Sequence, residues 1–169
     1  MSASANPNPL RNLTKRLVER ADEMGKPPDA AGYPKSRMLG TLASIERISP
    51  MLARVAEQEY AVRRLREKVF PKQLFFDPVW DMLLDLYIRR VKGRRVSVTS
   101  LCYASSVPST TALRYIRELE NKKFINRLES QHDKRVNYLE ISDQAFVSMS
   151  ILLEQHLNNF KKFELPASE

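Results

Sequence analysis

The chain has 169 residues, 43% of them hydrophobic and 28% charged, which suffices for one sizeable core with helical appendages and excludes two large domains. A mean hydropathy of −0.43, with no uninterrupted apolar run near about eighteen residues, excludes a membrane-spanning helix. A single cysteine, Cys102, excludes an intrachain disulfide and a multi-cysteine zinc site. The opening residues are polar and show no apolar leader, so a cytoplasmic location is expected. Against 20 Asp and Glu there are 28 Lys and Arg, a net charge of +8 that favours a polyanionic partner. The stretch after Arg135 is net acidic, so the positive excess lies ahead of it.

In chain order, residues 1–35 hold five of the ten prolines and two of the four glycines, and read as a flexible arm. Within the arm, Leu10, Leu13, Leu17, Ala21 and Met24 repeat at helical spacing and predict a short amphipathic helix. Residues 36–76 read as two helices. The first carries Met38, Leu39, Leu42, Ile45 and Ile48, and Ser49-Pro50 is expected to end it and start the next. The second carries Leu52, Val55, Ala56, Val62 and Leu65, with a basic outer face from Arg63, Arg64, Arg66 and Lys68.

Residues 77–142 change pattern. Asp77-Pro78 predicts the start of a helix burying Trp80, Leu83, Leu84, Tyr87 and Val91, and Gly93 stops it. Ser97 is placed to cap a short helix carrying Leu101 and Cys102, and Ser105-Ser106 makes a turn. Pro108 opens a second helix with a buried stripe of Ala112, Tyr115, Ile116 and Leu119. Two strands are expected over 124–128 and 135–141 around a polar tip, followed by a helix that Ser142 caps, with Phe146, Met149, Leu153, Leu157 and Phe160 in its stripe. The stripes in 38–55 and 146–160 are the expected dimer interface, since each exposes much apolar surface in a lone protomer.

A short helix, a turn, a second helix with hydroxyls and arginines on its free face, and then a basic hairpin make the outline of a winged helix-turn-helix. The physics suits duplex DNA. An α-helix fits the major groove, where Arg114 and Arg117 have the reach for guanine, Ser109, Thr110 and Thr111 can meet a base edge or phosphate, and Leu113 can meet a thymine methyl. Ser97 and Thr99, at the start of the preceding helix, join that set. The hairpin cations Arg127, Lys134 and Arg135 suit the backbone or a narrow minor groove.

Val98-Thr99-Ser100-Leu101, residues 107–114, Phe124-Ile125-Asn126-Arg127, Asp133-Lys134-Arg135 and Leu139-Glu140-Ile141-Ser142 together resemble the DNA-binding segment of MarR-type transcriptional regulators. The likeness covers roughly half of the chain. It implies a mainly α fold with a small β-hairpin wing, flanked by N-terminal (36–76) and C-terminal (143–169) dimerisation helices. It also implies a homodimer on double-stranded DNA, usually as a repressor, with Arg135 in the minor groove and Asp133 orienting the wing. The family usually has glycine where the recognition helix ends, whereas this chain has Asn121-Lys122-Lys123, so an asparagine or lysine must take that turn.

Other features read more plainly. Trp80, Tyr87, Phe75 and Phe76 are the residues that could line a pocket for a small aromatic effector, but aromatics at helical spacing are expected in the core. The run from Arg89 to Arg95 suits phosphates or simply a soluble helix end. Cys102 has no basic neighbour in sequence and is expected to be a buried hydrophobe. His132 and His156 share no ligand spacing, so no metal is expected, and no cofactor. No catalytic motif appears, and the chain is not expected to be an enzyme. The competing class is a winged helix that docks protein instead of DNA.

Overall fold

Proline 50 sits inside a helix, not at the start of one. The computed structural model describes residues 35–71, 74–129 and 137–164, and its first element, α1, runs without interruption over Lys35–Val69. Proline lacks the N–H that would bond the carbonyl four residues back, here that of Glu46. The Ser49 hydroxyl donates to that same carbonyl at 2.9 Å, so the acceptor freed by Pro50 is not left bare. The two helices expected over 36–76 are therefore one. The amphipathic stretch at Leu10 to Met24, most of the arm and the wing tip lie outside the described residues.

The order continues with α2 (Pro78–Val91), β1 (Val96–Ser97), α3 (Val98–Ala104), α4 (Ser109–Asn121), β2 (Ile125–Glu129), β3 (Asn137–Ile141) and α5 (Asp143–Glu164). The fold is a winged helix-turn-helix flanked by long helices. Its sheet has the order β1-β3-β2, all antiparallel, with Val96 and Arg127 both opposite Leu139, and Ser97 and Leu128 both opposite Tyr138. The two-residue β1 is too short to show alternation and had no signature in the sequence. None of the described helices is long and apolar enough to cross a membrane.

The core is built round α2. Asp77 accepts the Trp80 amide at 3.2 Å as the expected N-cap, and Gly93 leaves the helix at φ +64, where a side chain is disfavoured. Leu84 and Tyr87 are buried as expected, whereas Trp80, Leu83 and Val91 are only half-buried. Met82, Leu86 and Ile88 are buried as well, because α1, α3, α5 and the sheet all pack on α2. A helix covered on most sides has no single stripe for periodicity to find. Tyr87 stacks on Phe146 with ring centroids 4.8 Å apart. Ser150 Oγ donates to the Phe146 carbonyl at 2.8 Å, which leaves the Tyr87 hydroxyl to donate to Ser150 at 2.9 Å. Burial pushes the Tyr87 phenol up to about 12, so it remains a donor.

The apolar stripes expected to await a partner cover each other within one chain. Leu42, Ile45, Leu52, Ala53 and Ala56 of α1 and Phe146, Met149 and Leu153 of α5 belong to a single buried cluster. Their surface is covered by the neighbouring helix, so it does not by itself demand a second copy. The open apolar side chains are further along: Val62, Leu65 and Val69 on α1, then Phe70, Leu74 and Phe76.

Lys123 has φ +61 in the turn after α4, with its amide on the Glu120 carbonyl at 3.0 Å and the Phe124 amide on Leu119 at 2.9 Å. Lysine thus takes the left-handed position that glycine fills at most such helix ends. Lys123→Gly should raise the free energy of unfolding by about 1 kcal/mol, read as a higher urea midpoint at unchanged slope.

Candidate nucleic-acid interface

The exposed face of α4 is set by what its other face must do. Ala112, Ile116 and Leu119 are buried, and Tyr115 is half-buried against them. Three- and four-residue spacing then sends Ser109, Thr110, Leu113, Arg114 and Arg117 to the opposite side, where all five are exposed. Thr111 is half-buried at the edge of that face. The Arg114 guanidinium lies 5.3 Å over the ring of Tyr115. Pro108 is the N-cap, with φ −53 and no side-chain cap bond, so the leading amides of α4 receive no capping side chain.

The preceding short helix is fixed by hydroxyls. Ser97 accepts the Ser100 amide at 3.1 Å and its hydroxyl donates to Ser100 Oγ at 2.9 Å, so its side chain serves the expected cap. Thr99 is exposed. Ser105 donates to the Cys102 carbonyl at 2.6 Å, and Ser106 takes φ 54 in the turn. Thr99, Tyr103, Ser109 and Leu113 share the lining of one cleft of about 700 Å³ with Phe76 and Arg64. Tyr103 is 90% exposed there. Of the four aromatics considered for an effector pocket, only Phe76 reaches this cleft. Tyr87 is in the core, Trp80 is half-buried against it, and Phe75 stands edge-on to Phe70 at 5.4 Å.

Arg127 does not stand free. Its Nε is 2.7 Å from Glu120 Oε1 and an Nη is 3.2 Å from Oε2, a two-pronged pair that ties β2 to α4. The hydrogen bonds that Arg127 donates to Glu120 hold the guanidinium pKa above its usual range. Lys134, Arg135 and Asp133 lie outside the described residues. The run of cations at the end of α2 is also largely committed. Arg89 pairs with Asp85 at 3.3 Å, Arg90 with Asp143 at 2.7 Å, and Lys92 with Glu57. Arg94 and Arg95 are exposed, the latter 5.5 Å over Tyr138.

Two of the arginines expected on a solvated face point inward. Arg63 is buried, with Nε 2.5 Å from Asp81 Oδ1 and an Nη donating to the Asp77 carbonyl at 3.1 Å. Arg64 Nη2 lies 2.5 Å from Asp81 Oδ2, and Nη1 pairs with Glu67 at 2.9 Å. Arg64 and Tyr60 also both donate to the Ala104 carbonyl at 3.1 Å. Burial raises the Tyr60 phenol, which keeps it a donor. Sequence reasoning missed this cluster. The available signal was Asp81, an acidic side chain set between apolar residues of α2, which requires a cation from somewhere.

No family model matches the chain. It is 23% identical to the HTH-type transcriptional regulator PecS of Dickeya dadantii (strain 3937) over 124 residues, 72% of this chain and 74% of that one. The chain resembles MarR-type winged-helix regulators. Among solved structures, the S. aureus MepR-DNA complex is similar over 70% of this chain and 87% of that chain at 16% identity, with a TM-score of 0.42. The transcriptional regulator Tm0710 from Thermotoga maritima is similar over 73% and 82% at 16% identity, again with a TM-score of 0.42.

Removing the carboxylate from the inward cluster leaves the buried Arg63 without its counter-ion and Arg64 with Glu67 alone. Asp81→Ala should cost about 3 to 5 kcal/mol of stability, measured by urea unfolding. Cys102 is buried, and burial raises its thiol pKa. Its thiolate is therefore scarce near neutral pH, and alkylation there should be slow until denaturant exposes it.

Proposed function

We propose that the chain is a sequence-specific double-stranded-DNA-binding transcriptional regulator that acts as a cytoplasmic homodimer, with repression as its mode. The observation that carries this reading is the free outer face of α4: five exposed side chains of the types that meet base edges and phosphates, over a fully packed inner face. The regulator PecS, similar over most of the chain, supports it. In this reading Arg114 and Arg117 read the major groove, Ser109, Thr110, Thr111 and Thr99 meet base edges or phosphates, and Leu113 meets a thymine methyl. Lys134 and Arg135 serve the wing. In this reading Ser97 and Arg127 meet DNA only by exchanging an internal partner, since Ser97 caps α3 and Arg127 braces β2 on α4 in the free protein.

Dimerisation is proposed through α1 and α5, with the open row Val62, Leu65 and Val69 and the exposed Leu152 as the surface available to the second copy. The cleft of about 700 Å³ has the size of a small-ligand site. An aromatic effector seated there would touch Ser109 and Leu113 directly. The same open apolar row also favours the second reading, a winged helix that docks protein.

Selection of bound fragments from a random duplex pool separates the two readings. The DNA reading requires a recovered, roughly two-fold symmetric site, and the protein-docking reading requires none. On the recovered site, Arg114→Ala should weaken binding by about 1 to 3 kcal/mol and relax the preference at one position. Arg135→Gln should weaken binding across all sequences and lower the slope of log K against log salt by about 0.9 if one phosphate contact is lost. Equal affinity of Arg114→Ala and the unaltered chain at fixed salt would remove the groove assignment.

A further inference from the structure

The long helix α1 and the helix-turn-helix are joined by polar contacts that the DNA reading leaves without a role. Ala104 is the last residue of α3, so its carbonyl has no acceptor role inside that helix. Two donors from α1, the Tyr60 hydroxyl and Arg64 Nη2, each reach it at 3.1 Å. The same guanidinium holds Asp81 in the first turn of α2 at 2.5 Å and is stacked 4.8 Å over the Tyr60 ring. One side chain of α1 therefore grips α2 and the end of α3 together.

From Ala104 to α4 the chain has only the turn 105–108, which is short and carries a side-chain hydrogen bond and one left-handed residue. The Ser105 hydroxyl is bound to the Cys102 carbonyl at 2.6 Å, and Ser106 is in the left-handed region. Any rotation of α3 on α1 is thus passed to α4 with little loss. In a two-fold dimer whose protomers meet through their long helices, the tilt of each α4 on its own α1 fixes the distance between the two recognition helices. Because both helices move, a small error is doubled, and one base pair along the duplex is only about 3.4 Å.

We infer that Tyr60 and Arg64 are positioning residues, which set the tilt of α4 on α1 and thereby the half-site separation that the dimer accepts. The inference rests on the DNA reading above and on its dimer. It assigns these side chains no contact with DNA. Tyr60→Phe deletes the hydroxyl and keeps the ring under Arg64, and Arg64→Lys keeps a charge near Asp81 but loses the planar fork that reaches two acceptors at once.

The test uses the full chain and the site recovered by selection with the unaltered protein. Operators are synthesised with the half-sites one base pair closer, at the selected separation, and one base pair further apart, and each is titrated at fixed salt. The unaltered protein should favour its own separation by about tenfold or more, in the range of a single mismatch. In Tyr60→Phe and in Arg64→Lys that preference should shrink to within about threefold, with the base preference inside each half-site unchanged. A side chain needed only for stability would lower the melting temperature without altering the separation profile, so thermal melts are recorded alongside. Variants that retain the full profile overturn the inference, as does an unaltered protein indifferent to separation. Recovery of no duplex at all overturns the DNA reading and this inference with it.

Discussion

Asp81 is 2% exposed and stands in the first turn of α2 with a guanidinium from α1 on each carboxylate oxygen. An unpaired carboxylate at that depth would either take up a proton or cost several kcal/mol, of order the stability of a whole small domain. Both oxygens are filled, and each arginine has a further acceptor, Asp77 O for Arg63 and Ala104 O for Arg64. The polar geometry then dictates where α1 crosses α2, because carboxylate and fork align in few ways. Apolar packing of α1 on α2 and α5 would tolerate sliding by a fraction of a turn. The charged cluster does not, and through the Ala104 carbonyl it also holds the end of α3.

What the sequence disclosed divides by the range of the interaction involved. Local signals were legible: Asp77-Pro78 capping α2, Ser97 capping α3, the stripe that buries one face of α4, and the hairpin after it. Each depends on atoms within a few residues of one another. Failures came where a distant partner decides. Ser49-Pro50 reads as a helix start because the motif is one, yet α1 continues through it, with buried residues on both sides and the Glu46 carbonyl taken up by Ser49. Arg63 reads as solvated until Asp81 is known to face it across 18 residues. The wing strand β1 exists only because β3 supplies its hydrogen bonds.

Both ends of α4 are left by backbone that a side chain disfavours. Ser106 before it has φ 54 and Lys123 after it has φ 61, neither a glycine. Such residues cost of order 1 kcal/mol each and persist where the surroundings over-determine them. Here the surroundings are the Ser105 bond to Cys102 on one side and the Leu119-to-Phe124 backbone closure on the other. The effect is a helix whose entry and exit are both angular, held to the body by its inner stripe and by the Glu120 pair with Arg127. A looser turn of flexible residues would let α4 rock on that stripe, and a rocking helix cannot hold side chains in register with base edges.

Net charge and available charge are different quantities, and the structure separates them. A formal +8 raises the encounter rate with any polyanion and fades over about a Debye length, roughly 10 Å at 0.1 M salt. Contact specificity depends instead on which cations lack an internal partner. Arg63, Arg64, Arg89, Arg90, Lys92 and Arg127 all hold carboxylates of their own chain. Drawing any of them onto a phosphate would first break that pair, and for the buried Arg63 that loss would exceed what one phosphate returns. Arg114 and Arg117 stand exposed beside hydroxyl groups, with no carboxylate within ion-pair distance among the described residues. Five arginines are thus occupied in holding the chain's shape, and Arg114 and Arg117 are left exposed on the helix whose position that shape fixes.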